Sequence, residues 1–63
     1  MLEQAVLREQ FQMLLSQEQQ ALQAYADLVA KVDDPAIREQ VEQLRREKQR
    51  HVELTERLLE IVA

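Results

Sequence analysis

The stretch KVDDPAIR, residues 31–38, decides the fold of this 63-residue chain. It holds the single proline of a sequence that has no glycine, so a long helix is expected to break here. Asp34 is a good helix N-cap, and Pro35 suits the first position of a helix. Because proline pushes the preceding residue out of the helical region, the first helix should end by about Asp33. The pattern predicts two helices joined by a very short turn.

On both sides of the turn the chain consists mainly of good helix formers, with two aromatic residues in total. We therefore predict an all-α single domain over residues 1–63, with helices at about 2–32 and 35–62 and a turn at 33–34. So short a connection makes the helices antiparallel neighbours. A chain of this length buries only about 60% of its unfolded surface, so self-association is expected.

Apolar residues follow a heptad spacing in both halves of the chain. In the first helix this spacing falls on Leu7, Phe11, Leu14, Glu18, Ala21, Tyr25, Leu28 and Val32. In the second helix it falls on Ile37, Val41, Leu44, Lys48, His51, Thr55, Leu58 and Val62. The spacing predicts that the two helices pack against each other along these residues.

Charged residues interrupt both of these apolar series. If the chain folds back at its turn, Glu18 lies opposite residues 49–50, and Lys48 and His51 flank that point. We therefore predict a buried polar layer whose members are Glu18, Lys48, His51, Tyr25 and Thr55.

A second set of apolar residues runs beside each heptad series. It comprises Leu15, Leu22 and Val29 in the first helix, and Val52, Leu59, Leu54 and Ile61 in the second. A single partner helix covers a narrow stripe, whereas so wide an apolar surface needs two neighbours. We therefore predict that two copies of the antiparallel hairpin form a four-helix bundle, which makes the chain its own partner.

Three segments, Glu18–Tyr25, Lys31–Arg38 and Lys48–Leu54, resemble one helical hairpin of the ferritin-like superfamily, particularly of rubrerythrin-like proteins. The resemblance extends over Glu18–Leu59. It implies a ferritin-like four-helix bundle in which two hairpins enclose a di-iron site. It also implies redox activity of the peroxidase or ferroxidase type.

The resemblance assigns Glu18 as the metal ligand of the first helix, Tyr25 as the tyrosine that follows it, and His51 as the histidine of a Glu-x-x-His pair. The sequence departs from the family at Lys48, where a ligand glutamate is expected. An ammonium group has no lone pair for coordination. The lysine therefore argues against efficient di-iron chemistry, and whether the chain is an enzyme stays open.

Two interpretations of the layer follow. In the first, Glu18, His51 and Glu47 bind iron or another divalent transition metal, such as zinc or manganese, while Lys48 extends toward water. In the second, Lys48 replaces the metal and pairs with Glu18, so no cofactor is needed. The chain is then a structural or interaction module whose polar layer fixes the register of a dimer.

Charge and hydropathy bear on other classes of partner. The net charge of −4 argues against a nucleic-acid partner, despite the basic residues between Arg45 and Arg50. The longest apolar run, such as Leu28–Ala30, is three residues, whereas about 20 span a bilayer. No signal-peptide pattern or cysteine is present. We expect a cytoplasmic protein with neither a nucleic-acid nor a membrane partner.

Overall fold

The computed structural model describes residues 2–62, and the side chains of residues 3–62. The chain is all-α, with helix α1 at Leu2–Lys31 and helix α2 at Pro35–Val62 packed against each other. The two predicted helices are confirmed, and α1 ends one residue earlier than predicted. Met1 and Ala63, which the predicted domain includes, lie outside the described residues. The hairpin is a rod of 50 × 14 × 11 Å.

Asp34 caps the start of α2, as predicted. Its Oδ1 accepts hydrogen bonds from the backbone N–H of Ala36 at 2.9 Å and of Ile37 at 3.1 Å. These N–H groups belong to the first turn of a helix, where no backbone carbonyl is available to them. The cap therefore fixes the residue at which α2 begins.

Arg38 holds the end of α1, a contact that the sequence did not predict. Its Nε and Nη2 donate hydrogen bonds to the carbonyl oxygen of Val32 at 3.0 and 2.6 Å. The last carbonyls of a helix lack intrahelical partners, and a positive charge is favourable beside them. Because Arg38 lies in the first turn of α2, one side chain ties the end of the first helix to the beginning of the second.

The residues that pack between the two helices follow a 4-3 spacing. On α1 they are Phe11, Leu15, Glu18, Leu22, Tyr25 and Val29, followed by Val32 directly after the helix, and on α2 they are Val41, Arg45, Lys48, Val52, Thr55, Leu59 and Val62. Of the described residues only Val41, at 8% exposure, and Val52, at 5%, are buried, and the other members of this packing series are half-buried. The hairpin therefore has a thin core along a single line of contact.

This line of contact differs from the predicted one in every second residue. Leu15, Leu22 and Val29 of α1, which the sequence assigned to a flanking stripe, occupy the places that the prediction gave to Leu14, Ala21 and Leu28. The prediction failed because both alternatives satisfy the heptad spacing, and a single neighbouring helix can cover only one. We call the residues common to both the central stripe: Phe11, Glu18, Tyr25, Val32, Val41, Lys48, Thr55 and Val62.

Candidate functional site

A layer of ionisable side chains crosses the hairpin near the middle of its length. Glu18 of α1 points its Oε2 toward two groups of α2, the Lys48 Nζ at 3.4 Å and the His51 Nδ1 at 3.7 Å. Antiparallel packing brings the three residues together, because they are distant in sequence and lie at similar distances from the turn. The contacts agree with the register derived from the length of the turn.

The Glu18 carboxylate is incompletely satisfied in the single hairpin. Its Oε2 is shielded from solvent and accepts no hydrogen bond from the described residues. Hydrogen bonds from nitrogen usually span about 2.7–3.2 Å, and both nitrogen neighbours lie beyond that distance. The attraction between Glu18 and Lys48 is therefore mainly that of two opposite charges, with a carboxylate oxygen left able to accept a closer donor.

Exposure is uneven across this layer. The side chains of Glu18 and Lys48 are 26% and 28% exposed, whereas that of His51 is 53% exposed. Tyr25 and Thr55 are half-buried, and the Thr55 hydroxyl donates to the backbone carbonyl of His51 at 2.9 Å. None of the five residues is buried in one hairpin. Their burial stays a prediction about two paired hairpins.

The third candidate metal ligand, Glu47, does not join this layer. Glu47 is exposed, and among the described residues no three side chains of His, Cys, Asp or Glu are grouped so that they could hold a metal ion. One hairpin thus brings together a single carboxylate and a single imidazole, with the Lys48 ammonium beside the same oxygen. Such a set does not fit a di-iron centre.

An uncovered apolar surface, which we call the open face, lies beside the polar layer. It consists of every seventh residue on each helix: Leu7, Leu14, Ala21 and Leu28 on α1, and Ile37, Leu44, His51 and Leu58 on α2. Ala21 is half-buried, and the six leucine and isoleucine residues are 42–55% exposed. An antiparallel pair has an approximate twofold axis perpendicular to both helices, so equivalent flanks of the two helices lie on the same side of the hairpin. The two rows therefore form one continuous surface.

The opposite side of the hairpin is polar. Its flanking residues are Gln12, Gln19 and Ala26 on α1 and Glu42, Gln49 and Glu56 on α2. There the Arg45 guanidinium donates from Nε to the Glu42 carboxylate at 2.9 Å, and this hydrogen bond lowers the pKa of Glu42. The hairpin thus has one apolar side and one hydrophilic side.

The accessible surface of the hairpin is large for its mass. The chain exposes 4982 Å², against about 4200 Å² expected for a folded monomer of 7.4 kDa. The excess is consistent with a rod whose second apolar surface has no neighbour. The open face, like the polar layer beside it, is therefore part of the candidate site.

Fold and site together define an antiparallel helical hairpin with an unpartnered apolar side. Along the described residues, neither helix offers a segment of the length and apolarity needed to cross a bilayer. Comparison with protein-family models, with curated proteins and with solved structures finds no match to this chain. The ferritin-like resemblance accordingly rests on Glu18, Tyr25 and His51 and their spacing alone.

Proposed function

We propose that this chain is a self-association module and that two copies pair through their open faces to form a four-helix bundle. The observation that carries this proposal is that the open face and the central stripe together make a second complete 4-3 series on each helix. The hairpin uses the other series internally. Each helix therefore has one apolar seam for its partner within the chain and another for a helix of a second copy.

Four-helix bundles require this arrangement, because every helix in them contacts two neighbours. In such a bundle the central stripe faces the bundle axis, since it belongs to both seams of its helix. Glu18, Lys48 and Thr55 are members of that stripe. Their half-burial in one hairpin would become burial in the pair.

The exposed surface of the hairpin is large enough for an interface with a second copy of the chain. The surface exceeds that of a compact monomer by about 800 Å² because the hairpin is an elongated rod, and such a rod has room for a standard protein–protein interface, to which each partner contributes about 800 Å². Because the surface is apolar and the chain carries the matching surface itself, a second copy fits it without any further component.

The polar layer would set the register of the pair. Two copies bring two Glu18 carboxylates and two Lys48 ammonium groups to the middle of the bundle, a balance of −2 and +2. Slipping the hairpins past each other by one turn would leave each Glu18–Lys48 pair intact but would bury it against apolar residues of the other copy, and desolvating an ion pair without further polar partners is costly. The layer therefore favours one alignment at some cost in stability.

Sedimentation velocity at chain concentrations from 1 to 500 µM tests the proposal. We expect a concentration-dependent dimer whose dissociation constant rises about tenfold or more in Leu44→Ala. Leu44 is 42% exposed, and covering that remainder is worth about 0.6–1.3 kcal/mol in each copy. The neighbouring exposed residue Gln43 gives the control Gln43→Ala, which should leave the dimer unchanged. A single-chain mass throughout this range would contradict the proposal.

A second candidate function, metal binding, is favoured by the unsatisfied Glu18 Oε2 beside the His51 imidazole. A pair of hairpins supplies two carboxylates and two imidazoles, a donor set that suits zinc, iron or manganese. Iron bound there would supply redox chemistry of the kind that the ferritin-like resemblance implies. The chain's own part is to hold these donors in the middle of the bundle, with Lys48 drawn aside toward water.

Aerobic titration with ferrous iron, followed by metal analysis after gel filtration, tests this second candidate. Retention of iron that is lost in both Glu18→Gln and His51→Gln would support it. If the wild-type dimer retains no metal, and neither iron nor zinc shifts its thermal midpoint, the metal function is excluded and self-association is unaffected.

A further inference from the structure

We infer that the two copies pair with their turns at the same end of the bundle, and that Leu54 of each copy fills a groove on α1 of the other. The inference rests on the proposed self-association and specifies which surfaces meet. It is drawn from exposed residues that border the open face, together with Leu14 of the open face itself.

The groove lies on the outer surface of α1, toward the open end of the rod. It has a volume of about 280 Å³ and is lined by Gln10, Met13, Leu14 and Gln17. Residues at i, i+3, i+4 and i+7 form the hole that receives one side chain of a facing helix in coiled-coil packing. The described hairpin leaves this hole open, and Met13 within it is 59% exposed.

A matching apolar side chain lies on α2. The stripe that borders the open face on α2 consists of Gln40, Glu47, Leu54 and Ile61, and its last two members are 47% and 74% exposed. The corresponding stripe on α1 consists of Glu3, Gln10, Gln17, Ala24 and Lys31. Large apolar groups therefore border the open face on one helix only, near the open end.

Two symmetric pairings can bring the open faces together. With a twofold axis parallel to the rods, both turns lie at the same end and each α1 contacts the partner's α2. With a twofold axis perpendicular to the rods, the turns lie at opposite ends, and α1 contacts α1 while α2 contacts α2. Neighbouring helices are antiparallel in both, so helix direction does not distinguish them.

The same-end pairing places Leu54 beside the groove. The Glu18–His51 contact fixes the register within a hairpin. Leu54 lies about 4.5 Å beyond His51 toward the open end, and residues 13–14 lie about 6–7.5 Å beyond Glu18 in the same direction. In the same-end pair, equivalent residues of the two hairpins lie at the same position along the rod axis. Leu54 of one copy therefore meets the hole on α1 of the other.

The opposite-end pairing matches the bordering stripes poorly. There α1 faces α1, so the groove is set near Gln17 and Ala24, a polar and a small residue. On the other side α2 faces α2, so Leu54 approaches Gln40 and Glu47, and the two Glu47 carboxylates approach each other near the middle. This arrangement is disfavoured because Leu54 would pack against polar side chains. It is also disfavoured because two glutamate carboxylates would repel each other.

The positions of the turns in the dimer can be measured directly. The chain has no cysteine, so Asp33→Cys introduces a single site for a nitroxide label at the turn. In the same-end pair the two turns lie on neighbouring or diagonal corners of the bundle, about 10–14 Å apart at the backbone. Pulsed dipolar spectroscopy of the labelled dimer should therefore give a short distance, about 25 Å or less with the two label side chains included. Opposite ends would give a distance near the 50 Å length of the rod. That result overturns the inference but leaves self-association standing.

The groove contact has its own test. We expect Leu54→Gln to raise the dimer dissociation constant at least fivefold, while Arg57→Gln, at an exposed position directed away from the open face, leaves it unchanged. Circular dichroism checks that both variants remain helical. An equal effect of the two substitutions overturns the role of Leu54. A single-chain mass for the wild-type protein overturns the inference together with the proposed function.

Discussion

Replacing Lys48 by methionine tests whether the polar layer is a coupled charge pair or a chance contact. Lys48→Met keeps most of the length of the side chain and removes the cation 3.4 Å from the Glu18 carboxylate oxygen. Glu18→Gln removes the anion instead. Together with the double variant, these two substitutions form a cycle that isolates the interaction between the two side chains.

The expected size follows from the geometry. Unit charges at 3.4 Å attract by about 1.2 kcal/mol in water and by about 5 kcal/mol at an effective dielectric constant of 20. Because about a quarter of each side chain is exposed, solvent screening and lost side-chain entropy bring the net coupling to about 1–2 kcal/mol. The single variants should be unequal. Lys48→Met leaves a solvent-shielded Glu18 oxygen with no cation beside it, whereas Glu18→Gln leaves an ammonium that can extend to water.

Urea unfolding followed by circular dichroism supplies the four free energies of unfolding. All proteins must be compared at one concentration, because the proposed self-association would add to apparent stability. We expect the coupling to decrease in 1 M sodium chloride. A coupling below about 0.3 kcal/mol at low salt, or a larger loss for Glu18→Gln than for Lys48→Met, would refute the argument from charge and shielding.

Three further predictions address the layer, the turn and the hydrophilic side. Lys48→Glu should lower the unfolding free energy of the metal-free protein and create affinity for zinc or iron; an unchanged stability, with no metal retained in gel filtration, would count against a shared layer. Removing the donors to the Val32 carbonyl in Arg38→Ala should cost about 0.5–1.5 kcal/mol in urea unfolding, and a loss no greater than that of Arg46→Ala would argue against the cap. The Glu42 pKa is lowered in the folded chain, so its stabilising effect is present above the unfolded value of about 4.3 and disappears as the pH falls through the folded pKa. Wild type and Glu42→Gln should therefore converge in stability toward pH 3, and a gap independent of pH would contradict this.

The sequence predicted the elements of the fold because they depend on local chemistry. Proline at position 35 with Asp34 before it determines where α2 begins, and the short connection leaves antiparallel packing as the outcome. The same local reasoning placed Glu18 near Lys48 and His51, since the turn length sets the register of everything that follows.

The choice between two apolar seams could not be predicted in the same way. Leu14 and Leu15 are neighbours in sequence, are chemically identical, and belong to different heptad series. The side of α1 that packs inward depends on how the helices rotate about their axes, which is a property of the whole contact. A signal was nevertheless present: the two series on α2 differ in offering His51 or Val52, and the inward series takes the apolar valine.

The Arg38 contact was missed for a different reason. A donor to a helix-terminal carbonyl is recognised by its position in space, and Arg38 reaches back across the turn from the helix that follows. In the sequence it is one basic residue among several on α2. Basic residues directly after a helix breaker deserve testing as caps of the preceding helix.

The separation of the two apolar stripes has a consequence for how such a hairpin can diversify. Residues such as Leu22 and Val52 hold the fold, whereas residues such as Leu28 and Leu44 lie outside the internal line of contact. Under the proposed pairing through the open face, substitutions in the second group would change which copies pair while the folding of the hairpin itself is left intact. After gene duplication, a few changes among the leucines of that surface would give two hairpins of the same fold, each of which pairs with its own copies and not with the other.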